Sequence, residues 1–599
     1  MIFSLLSICY CERSFKIVGD EFQMDGKPFR YVSGSFHYFR SPPEKWEDNI
    51  KKMSNGGLNC VQTYIPWNLY EPSKGVFKTD GDVDFIKFIE IIKKYDMYMI
   101  VRPGPFICAE WDFGGLPYWL NQESNISFRS SDPTYLNYVK KWFTVLLEKL
   151  KPYLYVNGGP IIMIQVENEY GFYPKCDHEY MKELANFITE KIGNETLLFT
   201  IDTPSKAALD CGTIKEQAFV TVDFRVGNPE PHFEIQKKYN GHGPYVNSEF
   251  YTGKHDLWGD EHHYESTEAI CNTLDKMLSM NASVNFYMYC GGTNFGFYNG
   301  ANGDSSYYAA MPTSYDFDSP ISETGDMTWK YEKIKEVIKK YLPIHEFSDV
   351  KNTTKKSYGK VAFNESVSLF DSLQILSNQK KWSEKPLTFE ELDLDYGFIL
   401  YESYVNSSGY LNLSNVNDRA NVYLNGKYVS TIERKGEKIF LQNEGKVDVL
   451  VENEGRINYG EMFDELKGLY QGVLFDQTEL KNWNHFGFNL SYINQLQFTP
   501  ELLVKQPAFY RGYFNVDEVA DTFLNPTGFQ KGVAFINGFN IGRFWINKPQ
   551  LTLYVPQSLI HVGQNELVIF EIESQADSVG TMSFDDTPQI DVKSVKTKK

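Results

Sequence analysis

The chain has 599 residues, of which 42% are hydrophobic and 23% are charged, and its formal net charge at pH 7 is −19. This length is too great for one hydrophobic core and predicts three to four domains, or one large domain with smaller satellites. The negative charge argues against nucleic acid or an anionic membrane as a partner. No run of 18 apolar residues occurs, so we expect no transmembrane helix.

The N-terminal stretch MIFSLLSICYC is apolar and has the length of a signal peptide, although no basic residues precede it. Residues 1–19 are predicted to be a signal peptide with a short lead, the alternative being that the true start lies elsewhere. Eight cysteines permit a few disulfides, and N-glycosylation triplets also favour the secretory pathway, so we expect a lysosomal or secreted protein. The eight acceptor asparagines are Asn125, Asn194, Asn281, Asn352, Asn364, Asn406, Asn412 and Asn489.

Between residues 20 and 345, short apolar runs alternate with amphipathic segments. VDFIKFIEIIKKYD and DPTYLNYVKKWFTVLLEKLKPYL repeat apolar residues at helical spacing. Apolar runs separated by helices are typical of parallel strands buried on both faces, so residues 20–345 are predicted to form a (β/α)8 TIM barrel. A doubly wound open sheet is the alternative. The predicted strands are Tyr31–Phe36, Asn59–Ile65, Tyr98–Arg102, Ile161–Val166, Leu197–Ile201, Phe219–Val222, Tyr245–Ser248 and Val284–Tyr289.

The pattern changes after the helical segment TWKYEKIKEVIKKYLP, which closes the predicted barrel. Short alternating segments with turn signals follow, and Asn425-Gly426 and Asn537-Gly538 each predict a tight hairpin. We therefore predict a linker over residues 346–379 and two β-sandwich domains of jelly-roll type, over residues 380–490 and 500–595.

Carboxylates lie at the ends of three predicted barrel strands. Glu110 follows the third strand, Glu169 the fourth, in GGPIIMIQVENEYG, and Glu249 the seventh. The C-terminal ends of barrel strands carry the chemistry of this fold. Two carboxyls that face each other across a small gap suit glycoside hydrolysis, in which one donates a proton to the leaving oxygen and the other attacks the sugar. The alternative is that these are loop charges engaged in salt bridges.

Several motifs of the chain resemble glycoside hydrolase family 35, the β-galactosidases. They run in family order through the predicted barrel and continue near the C-terminus, so the resemblance covers nearly the whole chain. The motifs are SGSFHYFRSP, VQTYIPWNLYEP, VRPGPFICAEWDFGGLPYWL, QVENEYG, NSEFYTG, GGTNFGFYNGAN, PTSYDFD and KGVAFINGFNIGRFW.

The resemblance implies that Glu169 is the acid/base and Glu249 the nucleophile. The positions that hold the sugar in the family fall on Tyr64, Cys108, Ala109, Glu110, Asn168, Tyr287 and Phe317. A tyrosine such as Tyr287 near the nucleophile is expected to donate a hydrogen bond to it. Glu167 lies one residue before Asn168 and is expected to point away from the site.

Two positions, one of them in this sugar-holding set, depart from the animal members of the family. Lys254 stands where those enzymes commonly have Trp, and Phe317 where they commonly have Tyr. The resemblance also implies a disulfide between Cys176 and Cys211, while Cys108 is expected to stay free as a ligand contact.

The function implied is that of an exo-acting retaining β-galactosidase, which hydrolyses terminal non-reducing β-D-galactose from oligosaccharides, glycoproteins or glycolipids. Retention implies carboxyls about 5–5.5 Å apart, and an acid/base glutamate implies a bell-shaped pH profile on the acid side of neutral. We expect β-galactosides as partners, and neither a metal nor another cofactor; a homodimer is left open. The alternatives are another exo-β-glycosidase of the family, such as a glucosaminidase, and a catalytically impaired galactoside-binding protein.

Overall fold

The computed structural model describes residues 13–377, 380–434, 436–460, 464–573 and 575–591. Residues 1–12, which make up most of the predicted signal segment, lie outside this range. No helix in the described ranges is long and apolar enough to cross a bilayer.

Eight parallel strands close into the predicted barrel, in the order β1 to β8, with β8 pairing back onto β1. Each predicted strand is confirmed within three residues at either end. Nearly every residue of these strands is buried, because helices cover the outer face of the barrel and side chains fill its interior. The strands are Val32–Ser35 (β1), Cys60–Tyr64 (β2), Tyr98–Arg102 (β3), Ile161–Gln165 (β4), Leu197–Asp202 (β5), Phe219–Asp223 (β6), Val246–Tyr251 (β7) and Ser283–Tyr287 (β8).

Several helices of the barrel begin at side chains that accept hydrogen bonds from the first turn. Asp84, Asp132 and Asp177 each accept from backbone N–H groups that have no partner within the helix. The helices are Pro43–Asn55 (α1), Trp67–Tyr70 (α2), Phe85–Lys94 (α3), Pro133–Leu150 (α4), His178–Ile192 (α5), Lys206–Gly212 (α6), Glu230–Asn240 (α7), Thr267–Ser279 (α8), Trp329–Ile338 (α9) and Leu369–Leu376 (α10).

A small antiparallel sheet covers the N-terminal end of the barrel. Its strands are Phe15–Val18, Glu21–Met24 and Lys27–Phe29. The Phe22 ring lies 5.6 Å from that of Tyr31 and 6.0 Å from that of Phe219, measured between centroids. Residues 15–19 of the predicted signal and lead segment are therefore part of the folded barrel, and the opposite end is left open.

Two β-sandwiches follow the barrel. In the first, a six-stranded and a four-stranded sheet share one core, and in the second a five-stranded and a four-stranded sheet do so. Both predicted Asn-Gly hairpins are confirmed. The strands of the first are Lys380–Ser383, Gly397–Val405, Gly409–Leu413, Arg419–Leu424, Lys427–Glu433, Glu437–Leu441, Gly445–Asn453, Leu474–Phe475, Thr478–Glu479 and Trp483–Phe488. Those of the second are Gly359–Val361, Phe363–Ser368, Ala508–Val516, Thr522–Asn525, Lys531–Ile536, Phe539–Trp545, Leu553–Val555, Gly563–Glu571 and Met582–Asp585.

The predicted linker differs from the structure. Gly359–Val361 pairs with Met582–Asp585, and Phe363–Ser368 pairs with Ala508–Val516, so two strands of the second sandwich precede the first sandwich in the chain. The alternation of apolar and polar residues predicts a strand but not the strand that it pairs with, and here the partner strands lie more than a hundred residues further along the chain. The first sandwich is inserted between strands of the second.

A disulfide joins Cys176, in the loop after β4, to Cys211 in α6, as expected, with 5.1 Å between the Cα atoms. Cys108 is free, also as expected. The bridged cysteines are 35 residues apart in the chain. Closing such a loop lowers the conformational entropy of the unfolded chain and so stabilises the folded state.

We expect the double variant Cys176→Ser/Cys211→Ser to be destabilised by about 2–4 kcal/mol. Urea unfolding followed by tryptophan fluorescence measures the loss. Cys271→Ser, a free and half-buried cysteine on α8, is the matched control and is expected to change stability little. An unchanged unfolding midpoint in the double variant would show that the bridge does not constrain the chain.

Candidate active site

One cavity of about 660 Å³ opens at the C-terminal ends of the barrel strands. It is lined by side chains from several strand ends, as expected of this fold. The structure brings all nine sequence-predicted site residues to this cavity: Tyr64, Cys108, Ala109, Glu110, Asn168, Glu169, Glu249, Tyr287 and Phe317.

Glu249, in β7, is buried and held by three donors. The Arg102 guanidinium lies 2.6 Å from its Oε1. Tyr64 donates a hydrogen bond to Oε1 at 3.1 Å, and Tyr251 donates one to Oε2 at 3.0 Å. A buried carboxylate is tolerated only when it is paired and hydrogen-bonded, and Glu249 is both. Its carboxyl is therefore fixed in position within the cavity.

The expectation that Tyr287 donates to the nucleophile is wrong. Its hydroxyl lies 3.2 Å from that of Tyr315, which in turn donates to Glu110. The donors to Glu249 are Tyr64, at the end of β2, and Tyr251, two residues beyond Glu249 on the same strand. Because side chains alternate along a strand, residues two apart point to the same side, and Tyr251 could have been found from that spacing.

Arg102 also fixes the amide of Asn168. The Oδ1 atom of Asn168 accepts from Arg102 at 2.5 Å, from Tyr64 at 3.0 Å and from Gln165 at 3.1 Å. These donors orient the amide, so its Nδ2 is the group left to donate, and within the described residues it has no acceptor. Asn168 is therefore arranged to donate a hydrogen bond to a ligand in the cavity.

Glu169 follows β4 with left-handed backbone torsions, φ 42° and ψ 46°. Burial raises the pKa of its carboxyl well above the usual range, and the negative charges of Asp223, Glu249 and Asp202 raise it further, while Arg102 opposes them. This shift favours the protonated form of Glu169, which is the form that a general acid needs.

Glu167 takes no part in the cavity, as expected. Arg129 binds it in a two-pronged ion pair at 2.9 and 2.7 Å, and Tyr180 donates to it at 3.0 Å. The backbone N–H of Asn168 donates to it as well. The ion pair anchors the loop that carries Asn168 and Glu169.

The sequence prediction missed Asp223, which ends β6 beside the carboxyl pair. Its Oδ2 accepts from Thr203 at 3.2 Å and from Tyr251 at 3.3 Å. Burial, followed by the negative charge of Glu249, raises its pKa to about 7. A charged residue that ends an apolar run, as Asp223 and Arg102 both do, is the signal that could have found them.

The first sandwich also contributes to the cavity. Ile457–Gly460 pairs with Ala301–Gly303 of the barrel, and Tyr459 of this strand lines the cavity. Asn458 donates to the Cys108 sulfur at 3.5 Å. Nothing in the local sequence links this segment to a site formed by residues hundreds of positions earlier.

Comparison with known proteins agrees with this geometry. A sequence model described as "Glycosyl hydrolases family 35" matches residues 21–341. Two further models match residues 386–489, "Beta-galactosidase, first all-beta domain", and residues 507–565, "Beta-galactosidase, galactose-binding domain".

Curated relatives match nearly the full length of the chain. "Beta-galactosidase" of Mus musculus is 40% identical, covering 97% of this chain and 95% of its own. "Beta-galactosidase" of Bos taurus is 42% identical, covering 94% and 91%. "Beta-galactosidase-1-like protein" of Mus musculus is 42% identical, covering 93% and 88%. With a catalytic-domain model and full-length relatives in agreement, the chain belongs to glycosyl hydrolase family 35.

Proposed function

We propose that this protein is an exo-acting retaining β-galactosidase that releases terminal non-reducing β-D-galactose from oligosaccharides, glycoproteins or glycolipids. The observation that carries the proposal is the pairing, in one cavity, of a Glu169 carboxyl whose pKa is raised with a Glu249 carboxylate held by Arg102, Tyr64 and Tyr251. The β-galactosidase names of the relatives support the choice of sugar.

The reaction proceeds in two steps. Glu249 attacks the anomeric carbon while Glu169 gives its proton to the departing oxygen, which forms a galactosyl-enzyme ester and releases the aglycone as an alcohol. Glu169, now a carboxylate, removes a proton from water, and the oxygen of that water displaces Glu249 from the anomeric carbon. Both residues return to their starting states, and the two displacements retain the β configuration.

The remaining cavity residues hold the sugar. Asn168 donates through Nδ2, and its natural target is the 2-hydroxyl, where contacts strengthen in the transition state. Glu110 accepts from Tyr315 and lies 3.4 Å from His255 Nδ1, which fixes its carboxylate as an acceptor for sugar hydroxyls. Tyr287 and Phe317, with ring centroids 5.5 Å apart, add an apolar wall.

A panel of aryl β-glycosides tests the proposal on the purified protein. We expect turnover of the β-galactoside and little turnover of the β-glucoside or β-glucosaminide. NMR of the first product is expected to show β-galactose. Preference for another sugar would identify a different exo-β-glycosidase, binding without turnover would identify a galactoside-binding protein, and α-galactose first would contradict retention.

We further propose a lysosomal or secreted location. The disulfide supports an oxidising compartment. Six of the eight sequon asparagines are exposed, whereas Asn412 and Asn489 are half-buried. The acid/base requirement for a protonated Glu169 also suits an acidic compartment.

The basic limb of the pH profile is expected to move to lower pH in Asp223→Asn. The negative charge of Asp223 raises the pKa of Glu169, so its removal lowers that pKa, and Glu169 loses its proton at a lower pH. The ratio of kcat/KM above neutral pH to that at its optimum should fall by a factor of about three to ten. Asp202→Asn is the control, and a smaller change is expected because its charge acts more weakly on Glu169.

Loss of Arg102 is expected to reduce turnover of all substrates alike. Arg102→Met removes the counter-charge of Glu249 and the donor that orients Asn168, so kcat/KM should fall by about 10²- to 10³-fold. Arg102→Lys keeps the charge but not the planar set of donors and should recover only part of the rate. Rates on aryl and alkyl galactosides, with melting temperatures, check this; a loss confined to alkyl substrates would place Arg102 in proton donation instead.

A further inference from the structure

The outer part of the cavity carries two cations, Arg225 and Lys254, which line the same space as Glu169 and Glu249. They follow the neighbouring strands β6 and β7. Arg225 is exposed and Lys254 half-exposed. The Arg225 guanidinium carbon lies 5.2 Å from the ring centre of Tyr251, the residue that donates to Glu249. One aromatic ring therefore separates this cation from the nucleophile.

Neither cation is neutralised by the protein. Within the described residues, no carboxylate oxygen lies within 4.0 Å of either one. Nearby carboxylates have other partners: Asp256 lies 2.7 Å from His262, and Asp318 lies 2.6 Å from Lys330. By contrast, Arg102 deep in the cavity is paired with Glu249.

The two cations act on the same region. Burial lowers the pKa of His263, and the positive charges of Arg225 and Lys254 lower it further. The same two charges also act to lower the pKa of His255, whose burial dominates. Both cations therefore act on the same two neighbours at this edge of the cavity.

The position of these cations assigns them to the leaving group. Under the proposed function, on which this inference rests, galactose occupies the inner cavity around Glu110 and Asn168, and the aglycone leaves through the outer part. We propose that Arg225 and Lys254 form an aglycone subsite that selects a negatively charged group, a sulfate ester or a carboxylate, on the unit next to galactose. The chain as a whole carries a net charge of −19. Two unpaired cations beside the cavity are therefore opposite in sign to the net charge of the protein, and they favour a negatively charged substrate.

Two aryl β-galactosides that differ only in a ring carboxylate or its carboxamide test the subsite. We expect the ratio of kcat/KM for the carboxylate to kcat/KM for the carboxamide to be about three- to tenfold higher in the unaltered protein than in the Arg225→Gln/Lys254→Gln variant. The variant supplies the reference for the intrinsic reactivity of the two leaving groups. High salt should reduce the preference, because exposed charges are screened.

Lys427→Gln, an exposed cation on a sandwich hairpin, is the matched control and should keep the full preference. A preference that is the same in the double variant, or that does not respond to salt, would overturn the subsite while leaving the β-galactosidase proposal intact. Failure to hydrolyse either galactoside would instead contradict the proposed function. Equivalent pairs bearing a sulfate ester or its neutral hydroxyl precursor tell which anion is preferred.

Discussion

Glu249→Gln is expected to reduce kcat on the order of 10⁵- to 10⁶-fold, whatever the leaving group, because an amide is too weak a nucleophile to displace the aglycone. The amide oxygen still accepts from Tyr64 or Tyr251, so the side chain keeps part of its hydrogen bonding. Steady-state rates on an activated aryl β-galactoside measure the loss. Glu234→Gln, an exposed glutamate on α7, is the control and should retain full activity.

A binding measurement separates lost chemistry from lost structure. Galactose contacts Asn168 and Glu110 in the proposed arrangement, and neither side chain is hydrogen-bonded to Glu249. We therefore expect titration calorimetry to show galactose binding by Glu249→Gln within about tenfold of the unaltered protein. Residual turnover of a few per cent, with binding retained, would mean that another carboxyl performs the attack.

Much of the fold follows from local patterns. The barrel strands β3 and β4 are largely continuous apolar runs, and such runs are typical of parallel strands whatever their partners. Glu169 and Glu249 could be found because a charge at the end of an apolar run is costly unless it is used. Arg102 and Asp223 give the same signal at the ends of β3 and β6, but neither is among the positions that the family resemblance implies.

What could not be predicted depends on contacts between distant parts of the chain. Tyr459 enters the cavity because its strand pairs with Ala301–Gly303, and Gly359–Val361 joins a sheet with Met582–Asp585. Periodicity carries no information about such pairing. The role given to Tyr287 failed for a related reason, since its hydroxyl lies next to that of Tyr315, which belongs to the short strand Ser314–Tyr315 outside the barrel.

Glu169→Gln is expected to slow hydrolysis in proportion to the need for protonation of the leaving group. Methyl β-galactoside, whose alkoxide leaves poorly without a proton, should lose about 10³- to 10⁴-fold in kcat/KM, while a dinitrophenyl β-galactoside should lose far less. This contrast is not expected for Glu249→Gln, because both kinds of substrate need the nucleophile.

The second step of the same variant supplies an independent test. Without a carboxylate to take a proton from water, the galactosyl-enzyme should accumulate on the dinitrophenyl substrate and appear as a burst of released phenol. Azide needs no deprotonation, and the neutral amide no longer repels an anion, so azide is expected to replace water, to restore kcat and to give β-galactosyl azide. Product analysis by NMR and the mass of the trapped enzyme check both points. If azide has no effect and all substrates lose rate equally, Glu169 is not the acid/base, and Asp223, whose pKa is raised to about 7 in the same cavity, becomes the residue to replace next.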